Sequence, residues 1–323
     1  MEISQPRRTV EPAETGERML RFILRRLLVA VPTLLLVITA AFFMMRAAPG
    51  GPFDSNRRLP PQVERNIKTK YGLDKPLSQQ YLTYLGGVVR GDLGPSLKYQ
   101  DKSVVEIIRQ GFPTSLRLGL SALIIGATLG MTVGVIAALR QNGAEDYAIS
   151  TLAILGVCIP TFVTAPLLIL VFASILGWLP TGGLSDIRSF ILPVLVLALP
   201  QVAIISRLTR AGMVEVLRSN YVRTARAKGL PEHTIVIRHA LRAAVLPLVA
   251  YLGPAAAGLI TGSLVVEKIF TLPGLGKSFV TSALQRDYTL VMGVVILYAT
   301  LVIALNLLGE VIQALLDPRV RLS

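Results

Sequence analysis

A few stretches of this 323-residue chain have residue types and spacing that suggest chemistry. Leu272-Pro273-Gly274-Leu275-Gly276-Lys277-Ser278 ends like a loop that cradles phosphate. The full pattern needs a glycine five positions before the second one, and Thr271 stands there instead. It also needs a preceding strand, so the stretch reads as a Gly/Pro turn with a helix starting near Lys277. His233 and His239 have no cysteine or carboxylate cluster beside them and fit no metal motif. Glu310, with Asn306 one turn before it, is the main ionisable residue of the spans, near the end of the last helix; an intramembrane carboxylate can mark an ion pathway, and this one is also close enough to the interface to be solvated. Cys158, the single cysteine, lies in an apolar run and reads as a small hydrophobe; no intramolecular disulfide can form. No nucleophile with a base stands at membrane depth, so an intramembrane enzyme is not expected and no catalytic, cofactor-binding or metal residue is assigned. A transporter working alone would show ionisable residues in mid-span or inverted repeats, and neither is evident.

The stretch with most to say is Asn220 to Pro247, NYVRTARAKGLPEHTIVIRHALRAAVLP. It is basic, polar and helix-favouring, and Gly229-Leu230-Pro231 stops one helix and restarts another. Ala225 and Gly229 are four residues apart, so they are expected on one helix face, open to a close partner surface. From charge alone, a solvated basic loop on anionic headgroups is an equal reading.

The elements that must position this stretch are membrane spans. The chain is 52% hydrophobic and only 16% charged, with a mean hydropathy of +0.60; a soluble domain carries roughly 25% charged residues. Six apolar runs follow: Leu27 to Met45, Leu116 to Leu139, Ile149 to Leu176, Phe190 to Ile205, Ala243 to Val266, and Tyr288 to Leu308. The fold class is therefore an all-α polytopic membrane protein. The first run is too long for a signal peptide and ends at Arg46, so it reads as a helix that is retained. Pro160 and Pro166 predict a kink or tilt in the third run. The divisions are a mobile tail 1–18, a first span 19–46, an insert 47–114, a core 115–310 containing the loop 206–242, and a terminus 311–323. Net charge is +14. The basic residues Arg7, Arg8, Arg18, Arg21, Arg25, Arg26, Arg140, the 206–242 loop, Arg319 and Arg321 fall on one side. That side, with both termini, is expected to be cytoplasmic and the insert extracytoplasmic.

The loop resembles the cytoplasmic coupling loop of permease subunits in bacterial ABC importers. The family pattern is Glu-Ala-Ala, three residues, Gly, then a later Leu-Pro; Arg223-Thr224-Ala225, Gly229 and Leu246-Pro247 stand in those places. The missing glutamate and the longer spacing fit the peptide and nickel branch. Further matches run from about Met19 to Arg321, among them Arg46-Ala47-Ala48-Pro49-Gly50, Gly91-Asp92-Leu93-Gly94, Glu267-Lys268-Ile269-Phe270, Arg286-Asp287-Tyr288 and Asp317-Pro318-Arg319. Gly94-Pro95-Ser96-Leu97-Lys98-Tyr99 resembles the B subunits of oligopeptide permeases more than those of dipeptide permeases. The resemblance implies the type I importer permease fold and a heterodimer with a homologous permease in the bacterial inner membrane. It further implies ABC ATPase subunits that hold the ATP and magnesium, an extracytoplasmic peptide-binding protein, and oligopeptide import by alternating access. Dipeptide, glutathione or nickel-chelate import is the alternative within the family. The ATPase contact would be Arg223, Thr224, Ala225, Arg226, Ala227, Lys228 and Gly229. Leu272, Pro273, Gly274, Leu275 and Gly276 are candidates for touching the binding protein.

Overall fold

The computed structural model describes residues 12–47, 62, 69, 72–99, 101–184 and 186–316, the side chains of 12–18 excepted. Most of the tail, all of the Val63 to Tyr71 part of the insert but Thr69, and Asp317-Pro318-Arg319 lie outside those residues. The described chain is helical, and five helices are long and apolar enough to span a membrane, six if one bent pair counts as a span.

The first helix, α1, is Pro12–Ala47, so helix begins inside the segment expected to be a mobile tail. An amphipathic helix α2, Leu77–Val89, follows in the insert. The second long helix, α3, is Val104–Leu139. It starts well before its apolar run because Ser103 caps it: the Ser103 hydroxyl accepts from the Glu106 amide at 3.1 Å. The third apolar run folds as two pieces, α4 (Ala144–Cys158) and α5 (Thr161–Leu168, continued as a π-helix to Ile175). They meet at a 103° bend at Ile159 and Pro160. Proline removes the amide that would have continued the helix, so the kink read from Pro160 is present and sharper than a tilt.

Helix α6, Ile191–Leu217, carries the fourth run on into what sequence reading took for loop. After it come α7 (Asn220–Ala227), the short pieces Glu232–Thr234, Ile235–Leu241 and Arg242–Ala244, and then α8 (Leu246–Gly262) and α9 (Leu264–Ile269). The chain ends with α10 (Leu275–Gln285) and α11 (Tyr288–Leu316).

The bundle is centred on α3, which packs along α6. Gly126, Gly130 and Gly134 make this contact close. A Cβ at Gly126 would lie 2.6 Å from the Gln201 Cβ, and one at Gly134 would lie 2.5 Å from the Ser206 carbonyl oxygen. Lipid gives no hydrophobic drive for helix association, so close backbone packing on small residues holds such pairs together. Gly253 and Gly309 bring α8 and α11 together in the same way.

Candidate functional site

At one end of the bundle, here the basic end, the chain from α6 to α8 forms a small layered structure. Val222 and Ala225 of α7 are buried against Ile235, with Val216 and Leu217 of α6 beside them. Next come Val236, Ala240 and Ala244, packed on Met213 of α6 and Ala138 of α3. An unbroken apolar path therefore joins α7 to the long helices.

The turn after α7 is set by Gly229, whose φ of +75° favours glycine over any residue with a Cβ. The Gly229 amide donates to the Arg226 carbonyl at 2.9 Å and the Leu230 amide to the Ala225 carbonyl at 3.3 Å, which closes a Schellman motif. Arg226 bridges the break: Nη2 donates to Glu232 Oε1 at 2.6 Å and Nε to Oε2 at 3.2 Å. The Arg226 guanidinium holds the Glu232 carboxyl below the usual glutamate range, and the guanidinium is raised in return.

The seven residues expected at the partner contact therefore separate. Arg223, Thr224, Ala227, Lys228 and Gly229 are exposed; Arg226 is exposed but engaged with Glu232; Ala225 is buried within the segment. The expectation that Ala225 and Gly229 share an open face is corrected by this packing. Val222 and Ala225 point inward, so the opposite stripe, Arg223 and Ala227 four apart with Thr224, points out. His239 Nδ1 lies 3.3 Å from the Thr234 carbonyl oxygen, a local contact within the segment.

At the other end, the insert end, Leu272 to Gly276 wraps around a carboxylate. Glu267 is fully buried. Its Oε1 accepts from Ser115 Oγ and Ser263 Oγ, both at 2.6 Å. Its Oε2 accepts from the Gly276 amide at 2.7 Å and the Lys277 amide at 3.3 Å. These amides form the N-terminal turn of α10, a natural anion site. Ser115 Oγ also accepts from the Leu275 amide at 2.9 Å. A Cβ on Gly274 or Gly276 would run into Glu267, so both glycines are needed for close packing. Leu272, Gly274, Leu275 and Gly276 are buried and Pro273 is exposed.

A second buried carboxylate, Asp287, joins the insert to α11. It accepts from Ser96 Oγ at 2.5 Å, the Leu97 amide at 3.1 Å and the Leu290 amide at 3.2 Å. A third, Asp146, receives both Nε (2.5 Å) and Nη2 (2.6 Å) of Arg210. These three lie just beyond the ends of the apolar runs, which are almost free of charge as read, and sequence reading assigned them no structural role. The signal was present in the Glu267 and Asp287 motifs, which it used only as marks of resemblance. Glu310 is paired as well, with Arg26 Nη2 at 2.8 Å. No cluster that could hold a metal exists among the described residues.

Residues 130–322 match the family model for binding-protein-dependent transport system inner membrane components, and residues 19–119 match the N-terminal model of the same systems. The chain is 51% identical over 305 residues to the oligopeptide transport system permease protein OppB of Escherichia coli K12, covering 94% of this chain and all of that one. It is 43% identical to the dipeptide transport system permease protein DppB of Bacillus subtilis, covering 94% and 99%. An inward-facing structure of the MetNI methionine ABC transporter superposes with a TM-score of 0.55 at 19% identity, over 65% of this chain and 96% of that one, and shares the fold.

Proposed function

We infer the function from the family, and this chain belongs to that of the inner membrane components of binding-protein-dependent transport systems. It is a membrane permease subunit with the type I ABC importer fold. The cargo is peptide, and the greater identity to the oligopeptide permease than to the dipeptide permease favours oligopeptides. The chain pairs with a homologous permease. ATP and magnesium are held by separate ATPase subunits, and an extracytoplasmic binding protein delivers peptide. Both termini and the basic end are cytoplasmic; the insert is extracytoplasmic.

The observation that carries this reading is the packed path from α7 into the bundle. An ATPase seated on the outward stripe of Arg223, Thr224 and Ala227 moves α7. Val222, Ala225 and Ile235 pass that movement to Met213 and Ala138, and so to α6 and α3. Close packing makes such a relay stiff. ATP-driven approach of the two coupling helices opens the permease pair outward, and hydrolysis returns it. At the insert end, Pro273 presents the exposed tip of a loop whose other residues Glu267 holds rigid, which suits a contact with the binding protein.

The test is a pull-down from gently solubilised membranes with an ATPase assay on what accompanies the chain. An associated ATPase that is lost in Gly229→Trp, with membrane insertion intact, is the expected result. A chain that purifies alone and transports without ATP would overturn the reading. Crosslinking Pro273 to the binding protein in a nucleotide-trapped complex tests the outer contact; no crosslink there would remove it.

A further inference from the structure

Ser115 of α3 holds two things at once in the network around Glu267. Its hydroxyl donates to Glu267 Oε1 at 2.6 Å and accepts from the Leu275 amide at 2.9 Å, so it grips both the carboxylate and the loop wrapped around it. The other donors to that carboxylate, Ser263, Gly276 and Lys277, all belong to the stretch from α8 to α10 that carries the loop itself. Among the described residues, the hydrogen bonds that cross from this stretch to α3 are therefore both made by Ser115. Leu275 also packs over Gly111, one turn earlier on α3. Apolar contact has no direction, whereas a hydrogen bond does. Ser115 thus fixes the loop along the axis of α3, where packing on Gly111 alone would let it slide.

The other end of α3 reaches the coupling segment. Ser115 and Ala138 are both on the buried side of the helix, and Ala138 packs with Met213, Val236, Ala240 and Ala244. The proline within α3, Pro113, lies before Ser115, so the helix from Ser115 to Ala138 contains none of the residues that most often kink a helix. Its length is about 35 Å, enough to cross the hydrocarbon core. Close contact with α6 at Gly126, Gly130 and Gly134 keeps it from shifting independently. We propose that Ser115 is a positioning residue for transport: it ties the Leu272 to Gly276 loop to α3, which carries engagement of that loop by the binding protein to the coupling segment and so to the ATPase. This assignment rests on the contacts proposed above for Pro273 and α7.

The chain in complex with its ATPase, reconstituted in liposomes, is assayed for ATP hydrolysis with and without binding protein carrying trialanine, and the ratio of the two rates is read. The native complex is expected to give a ratio above one, and Ser115→Ala to lose most of that rise. Ser115→Thr and Ser115→Val, similar in size with and without the hydroxyl, are expected to keep and to lose it respectively. Ser263→Ala removes an equal 2.6 Å bond from the same carboxylate oxygen but leaves α3 attached, and is expected to keep the native ratio. Pro273 is expected to crosslink to the binding protein in all of these variants. If the serines served stability alone, both alanine variants would unfold at lower temperature with the ratio unmoved, and that outcome would overturn the proposal. An equal loss of ratio in both, or loss of the crosslink in Ser115→Ala, would overturn it too. A native ratio of one with no crosslink at Pro273 would remove the outer contact and the proposal together; a raised native ratio that Ser115→Ala retains would remove the proposal alone.

Discussion

Glu267 shows how much one carboxylate can organise. Its oxygens collect two hydroxyls and two amides from α3, the α8–α9 junction and the start of α10. Glu267→Ala leaves those donors without an acceptor, and a stranded buried donor costs about 1–3 kcal/mol. The expected loss is about 3 kcal/mol, some hydroxyls being able to turn to other partners. Thermal unfolding of the purified protein measures it, and an unchanged midpoint would show the network to be dispensable. Glu232 is a contrasting case on the surface. Arg226 depresses its carboxyl below the usual glutamate range. A depressed acid stabilises at pH above its unfolded value and loses that as pH falls through the folded one. Protection from hydrogen exchange across residues 226–232, relative to the intrinsic rate at each pH, should therefore be flat from neutral to mildly acidic pH and fall only in stronger acid. A fall near neutrality would point to another group. The sequence displayed Glu267 and Leu272 to Gly276 side by side. It gave no means of telling that the loop folds back on the carboxylate, because that contact also needs Ser115, more than a hundred residues away.

Among the elements, the long helices were legible because an apolar run in lipid has few alternatives to helix. Their ends were less so. The polar starts of α3 and the tail of α6 carry no hydropathy signal, and caps and packing set them. The Gly126, Gly130, Gly134 series was on view in the sequence, and its role depends on which helix comes to lie against it. Gly134→Val is expected to destabilise the bundle by about 1–3 kcal/mol, because the added carbons meet Ser206 and Thr209. Insertion should be normal, and the loss should appear as reduced detergent stability. For α7 the helix and its stop were readable, but its orientation was not, since both faces carry an alanine. The structure separates the two. Ala225→Trp should disrupt the segment's own packing and expose it to protease, whereas Ala227→Trp should leave it folded and remove only the bound ATPase. Limited proteolysis beside the pull-down distinguishes these outcomes, and identical behaviour of the two variants would contradict the assigned faces.

On the scale of the molecule, polar ties join parts of the chain far apart in sequence. Ser96 on Asp287 fastens the insert to α11, Arg210 on Asp146 fastens α6 to α4, and Arg26 on Glu310 fastens α1 to α11. Each buried acid is balanced by a partner or by several donors, as lipid-embedded charge requires. Such acids are structural fasteners, and among the described residues no buried acid stands unpaired along a span as a proton relay would need. Glu310 is the sharpest test, because sequence reading left it between an ion pathway and a solvated interface. Its carboxylate and Arg26 are 33% and 50% exposed. A pair that open to water contributes about 0–1 kcal/mol. Glu310→Gln should therefore cost at most that much stability and leave uptake dependent on ATP and on binding protein. If Glu310 instead carried protons, the same substitution would abolish uptake without loosening α1, and a proton gradient alone would drive the native protein. Uptake into proteoliposomes, with ATP and the pH gradient varied independently, separates the two: dependence on ATP alone supports the fastener.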